Sequence, residues 1–381
     1  MNELLENKYV NIDAADIDEV VACLRGRMLA GTAPIVETYE ARLADYFGAR
    51  HAHAVSSGTA ALHLLLYLYD VGPGDEVLVP PTAPVMSALP ILAVGATPVF
   101  VDTEPDGFGF DLADLDRKLT VKTKMAVTVP MWGYPSDIAP VKSLLSERGV
   151  PFVEDASHCH GSRAGGKYIG TLADASFFST QERKMVATGE GGFILTDDDR
   201  VSDRVREIRD FGKPVRDLPA RSGSRGTYGE QFGLNFRIAA MSAALGVSQL
   251  ARLDQKIRLR TENARQILAG IAAISMPYTE LSHLGRGTPN YYSLVLRLPG
   301  GQARRVGAQL SRRGVVSDTH RFGGRLLPEL PVFSPFATRL PNASRMFDEI
   351  ITVPTHEGLT SEDRRRILEA LKDSVSIAEV V

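Results

Sequence analysis

Short apolar blocks alternate along this chain with longer stretches whose apolar residues recur every third or fourth position. The short blocks predict strands at residues 52–55, 76–79, 98–101, 124–129, 151–153, 175–178 and 193–196. Between them the longer spacing predicts helices at 14–27, 36–47, 60–69, 85–94 and 138–148, with Gly48 and Gly72-Pro73-Gly74 as stops. Strands that alternate with helices imply an α/β fold with a mainly parallel, seven-stranded sheet covered on both faces. Ligands of such sheets bind at the carboxyl ends of the strands.

The pattern changes after residue 239. Residues 239–266 predict one long helix, rich in Ala and Leu, with Arg and Lys on the face away from the core. A strand at 291–297, a helix at 303–313, a segment at 315–318 and a helix at 361–371 complete a smaller α+β unit. A chain of 381 residues suits two domains. The expected division is 1–240, a large domain with an N-terminal helical segment, and 241–381, a small C-terminal domain, linked by the long helix. Residues 204–233, rich in Gly, Arg and Pro, predict a long loop.

Composition narrows the partners. A net charge of −3 gives no electrostatic case for nucleic acid or an anionic membrane. The Arg-rich stretches 200–209 and 364–366 are interrupted or flanked by acids and read as solvated helix faces. Two cysteines, Cys23 and Cys159, make no disulfide framework, and a reducing cytoplasm fits. Residues 1–13 have no apolar core of the secretory kind. The apolar run 77–101 is broken by Pro80, Pro81, Pro84, Pro90 and Gly95, which argues against a membrane helix. The eight histidines show no metal-ligand spacing, so no metal is expected.

Four features carry candidate chemistry. Asp155 follows a predicted strand; a carboxylate there can keep a pyridine nitrogen protonated, or merely cap a helix. Lys184 lies 29 positions further on, and a desolvated lysine can form an imine, though most lysines are surface residues. Gly189-Glu190-Gly191-Gly192 allows close backbone approach to a flat ligand. Ser56-Ser57-Gly58-Thr59-Ala60 opens a helix, where free amides and hydroxyls bind phosphate or a serine simply caps. Ser179 can add a hydroxyl to the same phosphate. An acid, an amine and a phosphate cup are the parts a pyridoxal phosphate enzyme needs.

Their order resembles the fold type I pyridoxal phosphate enzymes, and more closely the DegT/DnrJ/EryC1/StrS aminotransferases. Ser57-Gly58-Thr59-Ala60-Ala61-Leu62 matches that family's S-G-T-A-A-L, and Gly95 to Asp102 its G-A-x-P-V-F-V-D. Glu154-Asp155-Ala156 with His160-Gly161, Lys184 with its glycine turn, and Gly233-Leu234-Asn235-Phe236-Arg237 match three further motifs. The resemblance spans about residues 31–371. It implies that Lys184 holds the cofactor as an imine and moves a proton between donor and cofactor. It implies that Asp155 pairs with the ring nitrogen and that Gly58, Thr59, Ala60 and Ser179 hold the phosphate. Asn235 would reach the phosphate in a neighbouring subunit, which requires a homodimer.

Three positions depart from the pattern or select within it. His158 stands where the family usually has glutamine, near the cofactor's phenolic oxygen, with a charge expected to vary with pH. Ala83 replaces an aromatic that commonly stacks on the cofactor ring. Gln181 leans toward members that act on cyclitol ketones rather than nucleotide-linked ketosugars. Trp132, Tyr134, His320 and Arg321 are candidate substrate residues, each with core packing or surface exposure as the plain alternative. The implied reaction takes an amino group from Glu or Gln to a sugar or cyclitol ketone or aldehyde, through pyridoxamine phosphate, in aminosugar or antibiotic biosynthesis. The rivals are a nucleotide-linked 4-keto-6-deoxysugar aminotransferase of surface-sugar biosynthesis, a dehydratase of the same family, and a non-catalytic cofactor-binding regulator. The dehydratase branch replaces the lysine, which Lys184 argues against.

Overall fold

A computed structural model describes residues 4–214, 228–281, 286–298, 300–321 and 323–376. The strands of the first two-thirds are β1 (His51–Val55), β2 (Glu76–Val79), β3 (Thr97–Phe100), β4 (Thr123–Thr128), β5 (Phe152–Asp155), the short ribbon β6 (Arg163–Ala164) and β7 (Lys167–Tyr168), β8 (Ala175–Ser179) and β9 (Gly192–Thr196). All but the ribbon join one seven-stranded sheet in the order β1-β9-β8-β5-β4-β2-β3. Only β9 runs against the rest, pairing antiparallel with both β1 and β8. The sheet is buried on both faces because successive strand residues point to opposite sides. Val77, Val79, Met125, Val127 and Val153 enter one apolar cluster, while Leu78, Ala126 and Phe152 enter another.

The helices of this part are α1 (Ala14–Gly26), α2 (Pro34–Phe47), α3 (Gly58–Leu68), α4 (Leu89–Ala93), α5 (Leu112–Lys118), α6 (Ala139–Glu147) and α7 (Asp199–Arg209). Helix α1 opens on a capping box between Asp13 and Asp16. Helix α7 claims residues the sequence assigned to a loop. Asp198 caps it and Ser202, Val205 and Ile208 bury one face, so irregular chain begins only after Arg209. The long helix predicted at 239–266 breaks at Arg252 into α8 (Ala240–Ala251) and α9 (Leu253–Ala273). Its cations do not all face outward: Lys256 and Arg260 are buried.

A second, antiparallel sheet holds β10 (Thr279–Glu280), β11 (Leu294–Arg297) and β12 (Ile350–Val353). Helices α10 (Ala303–Arg312), α11 (Asp318–Arg321), α12 (Pro341–Glu349) and α13 (Ser361–Ser376) surround it. Ile267 and Ile271 of α9 pack with Leu294, Leu296, Val306, Leu310, Ile351 and Ile367 in a separate apolar cluster. The start of the chain joins this cluster through Leu5, whose amide donates to the Gly314 carbonyl at 2.8 Å. Among the described residues no helix is long and apolar enough to cross a membrane.

Candidate active site

Parallel pairing of β5 with β8 brings two chain ends to the same edge of the sheet, with Asp155 opposite Phe177 and Ser179 just beyond. Asp155 is buried. Its Oδ2 accepts from the Ser87 hydroxyl at 2.5 Å and its Oδ1 from the Ser157 amide at 3.1 Å. Burial raises its pKa, against the pull of those bonds and of the Lys184 charge. The two donors and the Lys184 charge favour the ionised form against that burial, and the donors orient the carboxylate, as a partner for a ring N–H requires.

Lys184 sits in the turn that joins β8 to β9, half-buried. The turn is fixed by its own backbone: the Lys184 amide donates to Gln181 at 2.8 Å, Glu182 to Gly189 at 2.9 Å and Thr188 to Thr180 at 2.7 Å. Burial pushes the Lys184 amine down to about 8; Asp155 and Asp318 oppose the shift and Arg183 adds to it. An appreciable neutral fraction near neutral pH is what a nucleophilic amine needs. Lys184 Nζ lies 5.3 Å from the centre of the Tyr292 ring. The Tyr292 ring also stacks on His158, with ring centres 4.4 Å apart.

His158 accepts the Trp132 amide at Nδ1, 3.2 Å away. That bond places the proton of the neutral ring on Nε2. Burial, with Lys184 and His160, holds the His158 pKa well below the ordinary value. The expectation of a charge that varies near neutral pH is therefore corrected: this imidazole is neutral, and a donor.

The start of α3 packs against the ends of β8 and β9 that flank the lysine turn. Ser57 caps α3, its Oγ accepting the Ala60 amide at 3.0 Å. The first turn of a helix carries amides without intrahelical acceptors. A Cβ on Gly58 would come within 2.9 Å of Ser179 Cβ, and one on Gly192 within 2.6 Å of the Phe178 carbonyl and 2.7 Å of Ser57 backbone carbon. Both glycines are thus required for α3 to begin against β8 and β9. Gly189, at φ +80°, makes the turn that returns the chain to β9.

The remaining sequence candidates separate. Trp132 is buried at φ +53°, edge-on to Phe108 at 5.3 Å, and reaches the site through its backbone. Tyr134 is buried too, and its hydroxyl is occupied: it donates to Glu280 at 3.0 Å and accepts the Val295 amide at 3.2 Å. It ties the segment after β4 to β10 and β11 of the second sheet. Gln181 folds back on its own turn, its Oε1 accepting the Arg183 amide at 3.0 Å. Asn235 is exposed, in a stretch bridged to Asp210. His320 and Arg321 fall in α11 by backbone, and their side chains lie outside the described residues, as does Phe322.

Sequence reasoning missed Ser87, Ser157, Asn290, Tyr292 and Asp318. Asn290 is fully buried and donates to the carbonyls of His158 and His160, each at 2.9 Å. Its Oδ1 would be struck by any side chain at Gly133, at 1.8 Å from an added Cβ. None of these has a local signature; a serine or tyrosine before a strand looks the same in any loop.

These residues fit pyridoxal phosphate by their own geometry: a bonded carboxylate at a strand end, a desolvated amine nearby, and a helix start pressed against Ser179 by two obligatory glycines. Such a set on a mainly parallel sheet is that of a pyridoxal phosphate-dependent enzyme. Comparison with known proteins agrees and goes further. The chain belongs to the DegT/DnrJ/EryC1/StrS aminotransferase family, whose model matches residues 10–372. It is 31% identical to GDP-perosamine synthase of Caulobacter vibrioides, over 94% of this chain and 95% of that one. It is 33% identical to L-glutamine:2-deoxy-scyllo-inosose aminotransferase of Streptomyces paromomycinus, over 73% of this chain and 66% of that one. Among solved structures, Spr1654 of Streptococcus pneumoniae in its PLP form superposes with a TM-score of 0.88 at 26% identity, covering 98% of this chain and 99% of its own. The same protein has also been solved in a PMP form.

Proposed function

We propose that this enzyme transfers the amino group of Glu or Gln to a ketone or aldehyde carbon of a sugar or cyclitol, using pyridoxal phosphate held at the Lys184 site. The observation that carries the proposal is Lys184 itself, desolvated to a pKa of about 8 beside the buried carboxylate of Asp155. Pyridoxal phosphate, when bound, supplies the electron sink; the chain supplies orientation and proton handling. In this reading Asp155 holds the protonated ring nitrogen. Gly58, Thr59, Ala60 and Ser179 hold the phosphate. Lys184 bonds the cofactor at rest and carries the proton during transfer, and His158 donates from Nε2. The stacked Tyr292–His158 pair offers the flat surface that Ala83 does not.

Asn235 belongs to the same proposal through a homodimer. Phe232 and Leu234 beside it in sequence, and Phe211, whose amide donates to the Leu234 carbonyl, are exposed apolar side chains. An exposed apolar group of that kind favours a partner surface, and a second copy would place its Asn235 toward the neighbouring phosphate. The division into domains 1–240 and 241–381 follows the separate cluster around the second sheet, while the first cluster continues across it through Val247 and Leu250 of α8 and through Val295, Phe333 and Met346. A cytoplasmic setting completes the reading.

Two acceptor classes remain in play because each has a relative. Gln181 and the scyllo-inosose relative favour a cyclitol ketone, while the perosamine relative favours a nucleotide-linked ketosugar. The test is an absorbance spectrum of the purified chain with pyridoxal phosphate, beside Lys184→Ala, before and after Gln or Glu. A yellow band that fades with donor and is altered in the variant is the expected result. The donor-loaded enzyme is then offered 2-deoxy-scyllo-inosose and, separately, a nucleotide 4-ketosugar. Absence of any band after added cofactor sinks the proposal.

A further inference from the structure

Helices α8 and α9 carry a polar stripe that the fold buries. Gln249, Arg252, Lys256, Arg260 and Asn263 recur at spacings of three and four, which puts them on one face. Gln249, Lys256, Arg260 and Asn263 are all buried. Each has polar partners. Gln249 Nε2 donates to the Asn11 carbonyl and to Asp16, both at 2.9 Å. Arg252 pairs with Asp13 and Asp16. Arg260 donates to the Tyr292 carbonyl at 3.1 Å and pairs with Glu357 at 2.9 Å. Asn263 donates to the carbonyls of Thr355 and His356.

Lys256 is the member that reaches the active-site turn. Its Nζ donates to the Met185 carbonyl at 2.8 Å and to Gln249 Oε1 at 2.5 Å. Met185 directly follows Lys184. Both bonded acceptors are uncharged carbonyls; Glu357 and Asp16 help the charge from further away, and Arg252 and Arg260 oppose it. Such a cation is costly to bury, and its bond to a carbonyl is stronger than a neutral one. The side chain spends that strength on the backbone one residue from the reactive amine. A working group must be held within a fraction of an ångström by what surrounds it.

We propose that Lys256 is a positioning residue for Lys184: by gripping the Met185 carbonyl from α9, it fixes the turn that keeps the reactive amine in place and out of water. The two buried cations of α9 then act as a pair. Lys256 holds the backbone beside Lys184, and Arg260 holds the backbone of Tyr292, whose ring faces Lys184. The inference rests on Lys184 being the reactive amine.

The test compares Lys256→Met and Lys256→Gln with the natural chain. The first readout needs no cofactor: acetylation of Lys184 by acetic anhydride is followed against pH by peptide mass spectrometry. Without the grip, water reaches Lys184 and its midpoint rises by about half a unit or more toward the ordinary lysine value. With cofactor bound, the half-reaction with Gln or Glu slows about tenfold in Lys256→Met, with the donor KM changed less than about twofold. Lys256→Gln, whose amide can still donate to the Met185 carbonyl, falls between. A melting temperature that drops while midpoint and half-reaction stay unchanged overturns the inference and makes Lys256 a core filler. If Lys256→Met does not fold, Lys256→Gln is read the same way. Retained amino transfer in Lys184→Ala would instead sink the reading of Lys184, and the labelling midpoint would still report on Lys256.

Discussion

A lysine becomes reactive here because its charge has lost water faster than it has gained partners. Burial takes Lys184 to about 8 although Asp155 and Asp318 pull the other way. The sign follows directly: the amine is mostly protonated below pH 8 and mostly neutral above it. In cofactor-free protein, the rate at which added pyridoxal phosphate develops its yellow band is therefore expected to rise with pH through about 8 and then level, read by stopped-flow absorbance. Asp155→Asn keeps the shape and loses the charge that would hold a ring proton; kcat is expected to fall about 100-fold or more, with the fold intact by circular dichroism. Glu154, beside it, is a different case. It is fully buried, its Oε2 accepts the Gly170 amide at 2.7 Å, and burial raises its pKa to about 7. The folded carboxyl binds its proton more tightly than the unfolded one, so stability is present at low pH and falls as pH rises between the two values. Glu154→Gln is expected to be near neutral at pH 5 and stabilising by about 1–3 kcal/mol at pH 8, by denaturant melts.

At the scale of elements, the site is made by close approach. Helix α3 can start against β8 and β9 only because Gly58 and Gly192 have no side chain. Gly192→Ala would drive a methyl to 2.6 Å from the Phe178 carbonyl, and that is backbone, which has little room to give. The expected cost is about 1–3 kcal/mol in stability, with weaker binding of pyridoxal phosphate, read by thermal melts and fluorescence titration. Gly58 and Gly192 were both visible in the sequence as part of glycine-bearing turns. That they meet was not, because 134 positions separate them and only the pairing of β1, β9 and β8 brings them together.

At the scale of the molecule, a buried ion pair ties α9 to the segment that follows β12. Arg260 and Glu357 pair at 2.9 Å with side chains only 2% and 5% exposed. Arg260→Met leaves Glu357 buried without its cation and is expected to cost about 3–5 kcal/mol, seen as a lower denaturant midpoint. The proposed dimer makes its own prediction. Phe232→Asp puts a charge into the exposed apolar surface around Asn235; the variant is expected to run as a monomer by light scattering and to hold cofactor more weakly. A natural chain that is itself monomeric would remove Asn235 from the site.

The local pattern was enough for the architecture. Seven short apolar blocks became the seven strands, since period-two alternation and burial on both faces leave a mark at every position. The same pattern placed Asp155 at the end of β5, Lys184 in the turn between β8 and β9, and Ser57 at the start of α3. Where the sequence failed, it failed for want of contacts. Nothing local distinguishes Lys256 and Arg260 from the solvated cations of any amphipathic helix, and they are buried only because carbonyls and Glu357 from distant segments meet them. His158 is held well below the ordinary imidazole value by burial first, and then by the Lys184 and His160 charges. The chain alone therefore determined which residues stand at the strand ends. The tertiary structure decided which of them lose their water, because desolvation is a property of everything packed around a group and not of its neighbours in sequence.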